Sequence, residues 1–290
     1  MASMITLKRR IRSVRNMRQI TKAMELVSAS KLRKSQEYAQ RSRDYRDLAY
    51  DLLKRLNVMS EVKYQPLFRK REVKNRLYII VTSNMGLAGA YNANVLKLLA
   101  QGLQKDRNDK VNSHVIAIGS KGAQFVRRIS GIDLMAVYPP FRDQPAANDV
   151  RPLLNTIISQ YESEAVDDIQ IIYTEYKSGI VQVATSLQLL PAPLIDVDTA
   201  PKDLTISNFE PDVETVIEQV TTRLVEAQVW QAILESLASE HAMRMIATKN
   251  ATDNANDLID DYTLELNTAR QSEITQELAE LSAGVEALNG

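Results

Sequence analysis

There is no cysteine anywhere in the 290 residues, and histidine occurs only twice, at His114 and His241. The first absence removes disulfide frameworks, thiolate nucleophiles, iron–sulfur clusters and cysteine-type zinc sites together. The second leaves two histidines 127 residues apart, too few to build a metal site by themselves. No uninterrupted apolar run approaches the ~18–20 residues that a membrane span requires. The N-terminus carries charge without an apolar stretch, so no secretory signal is expected. Nor is there a surplus of one charge overall. Thirty-six basic and 36 acidic side chains cancel, which gives the whole chain no attraction to nucleic acid or to an acidic substrate.

Proline and glycine are scarce where it matters most. All nine prolines lie between Pro66 and Pro211, and the first glycine is Gly86. Residues 1–65 and 212–283 therefore contain neither helix breaker. Such stretches far exceed the ~11–12-residue mean helix of compact domains. At 1.5 Å per residue they make rods of ~85 and ~105 Å, too long for a globule of this size. The expectation is two long helical ends around a middle that holds the turns.

Charge divides along the same boundaries. Residues 1–60 carry 15 basic and 5 acidic side chains, for +10, and residues 211–290 carry 4 and 15, for −11. Rods of opposite charge are expected to lie against each other. The apolar spacing agrees: Tyr38, Tyr45, Leu52 and Met59 step by seven, with Leu48, Ala49 and Leu56 between them. Val213, Ile217, Val220, Leu224, Ala227, Leu234 and Leu237 follow a 3–4 rhythm, as do Ile274, Leu278, Leu281, Val285 and Leu288. These read as coiled-coil seams rather than as helices laid on a globular core.

The middle alternates short apolar runs with helical spacing. Strands are expected at Leu77–Thr82, His114–Ile118, Met135–Val137, Ile169–Tyr173 and Val181–Thr185, the last two as a hairpin. Helices are expected over 93–104, 121–128 and 149–161. That order predicts a mostly parallel sheet covered on both faces.

Catalytic patterns are missing from this frame. The segment Ser83-Asn84-Met85-Gly86-Leu87-Ala88-Gly89-Ala90 follows a strand and precedes a helix, where phosphate loops sit. Its spacing fits neither GxGxxG nor GxxxxGK[ST], and no lysine follows, so it reads as a tight turn. The carboxylate pairs Asp167-Asp168 and Asp260-Asp261 read as solvated, His114 as a partly buried strand residue, and His241 as a packing residue on a helix seam. The conspicuous feature is basic: Lys8, Arg9, Arg10, Arg12, Arg15, Arg18 and Lys22 occur without one acid in the first 22 residues. A nucleic-acid or membrane-surface arm would want aromatic side chains, and residues 1–37 have none. A solvated or partner-facing helix fits better.

The run Ile20-Thr21-Lys22-Ala23-Met24-Glu25-Leu26-Val27-Ser28-Ala29-Ser30-Lys31-Leu32-Arg33-Lys34 resembles the first helix of the gamma-subunit family of F-type ATP synthases. So do Ser239-Glu240-His241-Ala242-Met243-Arg244-Met245, Ala251–Ala255, Ala269-Arg270-Gln271 and Ile274–Leu278 near the other end, and Gly86-Leu87-Ala88-Gly89 in the middle. Asn84, Met85 and Ala88 depart from that family's acidic, basic and cysteine positions, and Gly284-Val285 departs from its Gly-Ala pair. No cysteine-bearing insertion is present, so the resemblance is to the bacterial type.

The resemblance implies an α/β fold: a central Rossmann-like domain (66–210) with an antiparallel two-helix coiled coil made by residues 1–65 and 211–290. It implies a rotor shaft without catalysis, cofactor or metal. The shaft would stand in a hexameric ring of alpha and beta subunits, its foot on the epsilon subunit and on a c-ring driven by protons or sodium ions. Its place would be peripheral, at the cytoplasmic face of a bacterial membrane, with membrane contact only through the complex and no nucleic-acid partner. Coupling contacts to the catalytic subunits would fall on Lys22, Met24, Arg244, Gln271, Thr275 and Glu277, and Glu210 would lie near the c-ring. The competing expectations are a coiled-coil adaptor using residues 8–34 and an enzyme using the Gly86–Gly89 loop.

Overall fold

The absence of breakers at both ends is realised as two very long helices, α1 (Met4–Asn57) and α5 (Val213–Asn289), the second running straight through Gly284. The computed structural model describes residues 4–57, 65–142, 147–192 and 213–289; Met59 and Glu210 lie outside them, as do the side chains of Tyr45, Ala49, Leu52, Leu56, Val213 and Leu288. Between the helices come β1 (Asn75–Val81), α2 (Tyr91–Asp109), β2 (Asn112–Ile118), α3 (Ser120–Val126), β3 (Asp133–Tyr138), α4 (Ala147–Glu162), β4 (Asp168–Tyr176) and β5 (Gln182–Leu190). The chain forms two compact units, residues 1–28 with 245–290, and residues 29–244.

In the larger unit the five strands run in the order β3-β2-β1-β4-β5. The first four are parallel, and β5 returns antiparallel to β4 as a hairpin. β1 is buried from Leu77 to Val81, as its unbroken apolar run requires of a strand covered on both faces. On one face Tyr78, Ile80, Val115 and Ala117 pack against Val95 and Leu99 of α2 and Val126 of α3. On the other, Leu77, Ile79, Ile116 and Ile171 meet Leu153 and Ile157 of α4 and Leu224, Val229 and Ile233 of α5. The first half of α5 is thus part of the sheet's own core, which corrects the reading of its 3–4 rhythm as a coiled-coil seam alone. Its apolar residues surround the helix because it is covered from more than one side.

The heptad assigned to α1 is also corrected. The buried positions are Leu32, Ser35, Ala39 and Ser42, whereas Tyr38 is half-buried and Leu48 is exposed. In the smaller unit the same frame buries Leu7, Ile11, Thr21 and Ser28 of α1. Opposite them α5 buries Thr248, Thr252, Ala255 and Ile259, at steps of 4, 3 and 4. The pairing is antiparallel: Thr252 donates to Thr21 at 2.8 Å, Arg18 to Asn256 at 3.3 Å, and Arg10 stands 5.8 Å from the Tyr262 ring centre. Serine and threonine at these positions carry little hydropathy, so the larger apolar residues beside them imitate a seam. The short side chains of 247–257 find here the partner that a run of poor helix formers needs.

Asp167 and Asp168 are buried rather than solvated. Asp167 accepts the backbone N–H groups of Lys74 and Asn75, both at 2.9 Å. Arg76 bridges Asp168 and the fully buried Asp106, which also accepts from the Ser113 hydroxyl at 2.9 Å. One arginine thereby ties β1 to β4 and to α2. Arg76→Met should leave two carboxylates buried without their cation and cost about 3–5 kcal/mol, read as a lower denaturant midpoint for the larger unit.

Candidate functional site

The order of the strands places a topological switch point between β1 and β4, the crevice where doubly wound sheets bind ligands. The loop after β1 opens onto it, and its polar side chains bond within the loop and to the helices beside it. Ser83 N–H donates to Asn92 Oδ1 at 3.0 Å, Asn92 Nδ2 donates to Ser83 Oγ at 2.8 Å, and Ser83 Oγ donates to the Met85 carbonyl at 2.7 Å. Asn84 Oδ1 accepts the Ser120 N–H at 2.7 Å, which gives Asn84 a structural task at a position where the resemblance expected charge. Gly119, at φ +90°, lets α3 start against this loop; a Cβ there would fall 2.1 Å from the Thr82 carbonyl oxygen.

The crevice is spanned by α5. Ser236 Oγ shares a hydrogen bond with the Tyr91 hydroxyl at 2.7 Å and accepts the Thr174 N–H at 3.4 Å. One turn on, Ser239 Oγ donates to the Thr174 carbonyl at 3.1 Å. Tyr91 is 1 % exposed, and burial pushes its phenol far above the usual tyrosine range. This helix bonds to both walls of the switch point, where doubly wound sheets hold their ligands. Among the described residues no group of three His, Asp or Glu could hold a metal ion, and no helix is long and apolar enough to cross a membrane. His114 is half-buried with Nδ1 2.9 Å from Asp133, and His241 is buried.

The residues singled out for coupling are not gathered into one place. Lys22 is exposed and pairs with Glu25 at 3.0 Å; Met24 is half-buried. Gln271, Thr275 and Glu277 are exposed, the Thr275 hydroxyl donating to the Gln271 carbonyl at 2.9 Å. By the register of the antiparallel pair Lys22 lies opposite residues near 251, so the two stations are about 20 residues apart along α5, or ~30 Å. Arg244 belongs to the larger unit and is only 8 % exposed, paired with Glu240 at 2.7 Å. A rod-surface role for Arg244 is corrected by that burial.

Two apolar surfaces escaped the reading of periodicity. Met17, Ile20, Leu26 and Val27 are more than half exposed on α1, because the seam runs through positions 7, 11, 21 and 28 and leaves them outside it. Fixing the heptad on Leu7 and Ile11 would have revealed them. Ile274, Leu278, Leu281 and Val285, read as a seam, are 45–67 % exposed. The same register places Met4 opposite residues near 268, so no described residue of α1 reaches the last ~20 residues of α5. The basic side chains Lys8, Arg9, Arg12 and Arg15 are exposed alongside. Among the described residues nothing covers these apolar and basic surfaces.

Arg244→Ala, which strands Glu240, should cost about 3–5 kcal/mol in the isolated chain. Gln271→Ala, on an exposed face, should stay within about 0.5 kcal/mol of the parent. Denaturant unfolding of both variants separates the buried residue from the surface one.

Residues 3–288 match a family model described as ATP synthase. The ATP synthase gamma chains of Staphylococcus aureus strains JH9 and COL are each 38 % identical to this chain over 288 residues, covering 99 % of it and 100 % of the relative. Among solved structures, a chain of the Euglena gracilis mitochondrial ATP synthase (OSCP/F1/c-ring, rotational state 3) superposes with a TM-score of 0.70 at 18 % identity. It covers 98 % of this chain and 94 % of that one. A chain of the Tetrahymena thermophila mitochondrial ATP synthase central stalk and c-ring gives 0.63 at 24 % identity, over 80 % and 99 %. These structural likenesses carry the fold: two long terminal helices and a central sheet domain.

Proposed function

Because the chain belongs to the ATP synthase gamma family, we infer that it is the central rotor shaft of an F-type ATP synthase. It couples rotation of an ion-driven c-ring to conformational change at the catalytic sites of the surrounding ring, and the reverse during ATP hydrolysis. The observation that carries the reading is the match over essentially the whole length of the chain and of its gamma-chain relatives. The chain itself is non-catalytic. Its partners are the alpha and beta subunits, the epsilon subunit and the c-ring, and it works at the cytoplasmic face of a bacterial membrane, held there by the complex. Functionally it divides into a shaft, residues 1–65 with 211–290, and a foot, residues 66–210, with Glu210 near the c-ring.

The physics of the helices suits this role. A shaft drives three sites through different states only if it interacts differently with each, since a contact shifts an equilibrium by its differential free energy alone. An antiparallel pair has no threefold symmetry. One side carries Arg9, Arg12 and Arg15, and the last turns of α5 stand as a single helix with Gln271, Thr275 and Glu277 exposed. Each orientation of such a cam presents a different surface to a given neighbour. The outward side chains add little to the stability of the chain, so their contribution is to the partner.

Reconstitution with alpha and beta subunits tests the reading. A probe on the sheet domain should rotate during ATP hydrolysis, and a probe that stays fixed while the complex hydrolyses ATP would refute it. Gln271→Ala and Thr275→Ala should lower turnover in the fully assembled complex several-fold without lowering assembly. Unchanged turnover would return them to plain surface positions. Reversing Arg9, Arg12 and Arg15 to Glu should slow docking into the ring, most at low salt, through the association rate rather than dissociation. Stopped-flow docking at two ionic strengths measures this, and an unchanged low-salt rate would show that the basic face does not meet the ring.

A further inference from the structure

The larger unit has a hollow that neither the core nor the shaft explains. It measures about 420 Å³ and is lined by Tyr38, Arg41 and Ser42 of α1, Arg151 of α4, and Arg223 and Trp230 of α5. Three arginines from three helices converge there, against one carboxylate among the described residues, Glu226, which holds Arg223 at 2.6 Å. Arg41 and Arg151 are exposed at the rim. Tyr38 and Trp230 are half-buried and supply flat apolar walls. Ser42, 6 % exposed, is a covered small residue beside them.

The planar guanidinium groups carry forks that match the oxygen geometry of phosphate and carboxylate. The flat walls would take a planar or apolar body on which that oxyanion is carried. A second hollow of about 660 Å³ adjoins the first and shares Arg151, Arg223 and Glu226 with it, so there is room for a body beyond the anionic group. A hollow of this volume with few, convergent polar groups has the character of a small-molecule site.

We propose that the hollow between α1, α4 and α5 is a binding site for a small oxyanion, a phosphate or carboxylate group on an aromatic body. Arg41 and Arg151 grip the oxyanion, and Trp230 and Tyr38 flank the ring. The site lies on the face of the sheet domain covered by α4 and α5, away from the loop after β1, and owes nothing to the phosphate-loop position. It is independent of the rotor reading: a shaft or any other protein with these three helices would have it.

The chain has one tryptophan, and it lines the site, so intrinsic fluorescence reports occupancy directly. The full chain should be titrated at constant ionic strength with phenyl phosphate, benzoate and inorganic phosphate, with calorimetry as a second readout. A saturable change in Trp230 emission with phenyl phosphate is expected, and saturation by benzoate instead would identify a carboxylate as the natural group. Inorganic phosphate should bind more weakly than phenyl phosphate, because it leaves the aromatic walls unused. Arg41→Gln and Arg151→Gln, both surface changes that leave the helical circular dichroism intact, should each weaken binding roughly 10–100-fold. Absence of saturation with every probe, or saturation indifferent to both arginine substitutions, would overturn the proposal.

Discussion

The larger unit depends on the burial of α5 between the sheet and α1. From Leu224 to Ala242 almost every side chain of that helix is covered, and the polar ones are placed where the sheet can use them. Ser236 and Ser239 meet the backbone of Thr174, and Tyr91 closes the same point from α2. A rod that must transmit torque needs one place where it cannot turn in its socket. This helix is held by apolar contact along its length and by hydrogen bonds at the carboxyl ends of the strands. Arg43, paired with Glu235 at 3.1 Å and donating to the Tyr176 carbonyl at 3.1 Å, ties α1 to the same region.

That anchoring also occupies the usual ligand position of the fold. A doubly wound sheet offers a crevice at its switch point, and in many proteins a nucleotide fills it. Here the protein's own helix spans the crevice, and Ser83 and Asn84 of the adjacent loop bond to α2 and α3. The same architecture that could bind a ligand serves as a socket. Fold and function separate at this point, since an α/β sheet carries a mechanical role once its ligand position is covered from within.

The smaller unit works in the opposite way. Its two helices bury a narrow seam of Leu, Ile, Thr, Ser and Ala, and leave both outer faces exposed. Small side chains bring the helices close without deep interlocking, so the pair is stiffened by proximity and by polar contacts such as Thr21 with Thr252. The outward apolar and basic residues are matched by nothing in the described chain. The Lys22 and Gln271 positions lie ~30 Å apart along this pair.

What the amino-acid sequence determined by itself was the layout. The confinement of proline and glycine to the middle dictated two long terminal helices, and continuous β-branched runs dictated a covered, mostly parallel sheet, because these follow from backbone chemistry and local periodicity. Motif likeness supplied the family for the same reason, being written in runs such as Ile20–Lys34. The tertiary structure alone decided which residues face inward. Ser28, Ser35 and Ser42 lie on the inner side of α1 while Tyr38 does not, Asp167 and Asp168 are buried because Arg76 and two backbone amides wait for them, and Arg244 is a core residue although its motif reads as surface. The exposed tip of α5 was read as a seam because hydropathy records how apolar a face is, not whether a neighbour is long enough to cover it. Burial of polar and small side chains is set by partners distant in sequence, and no local pattern encodes where those partners will be.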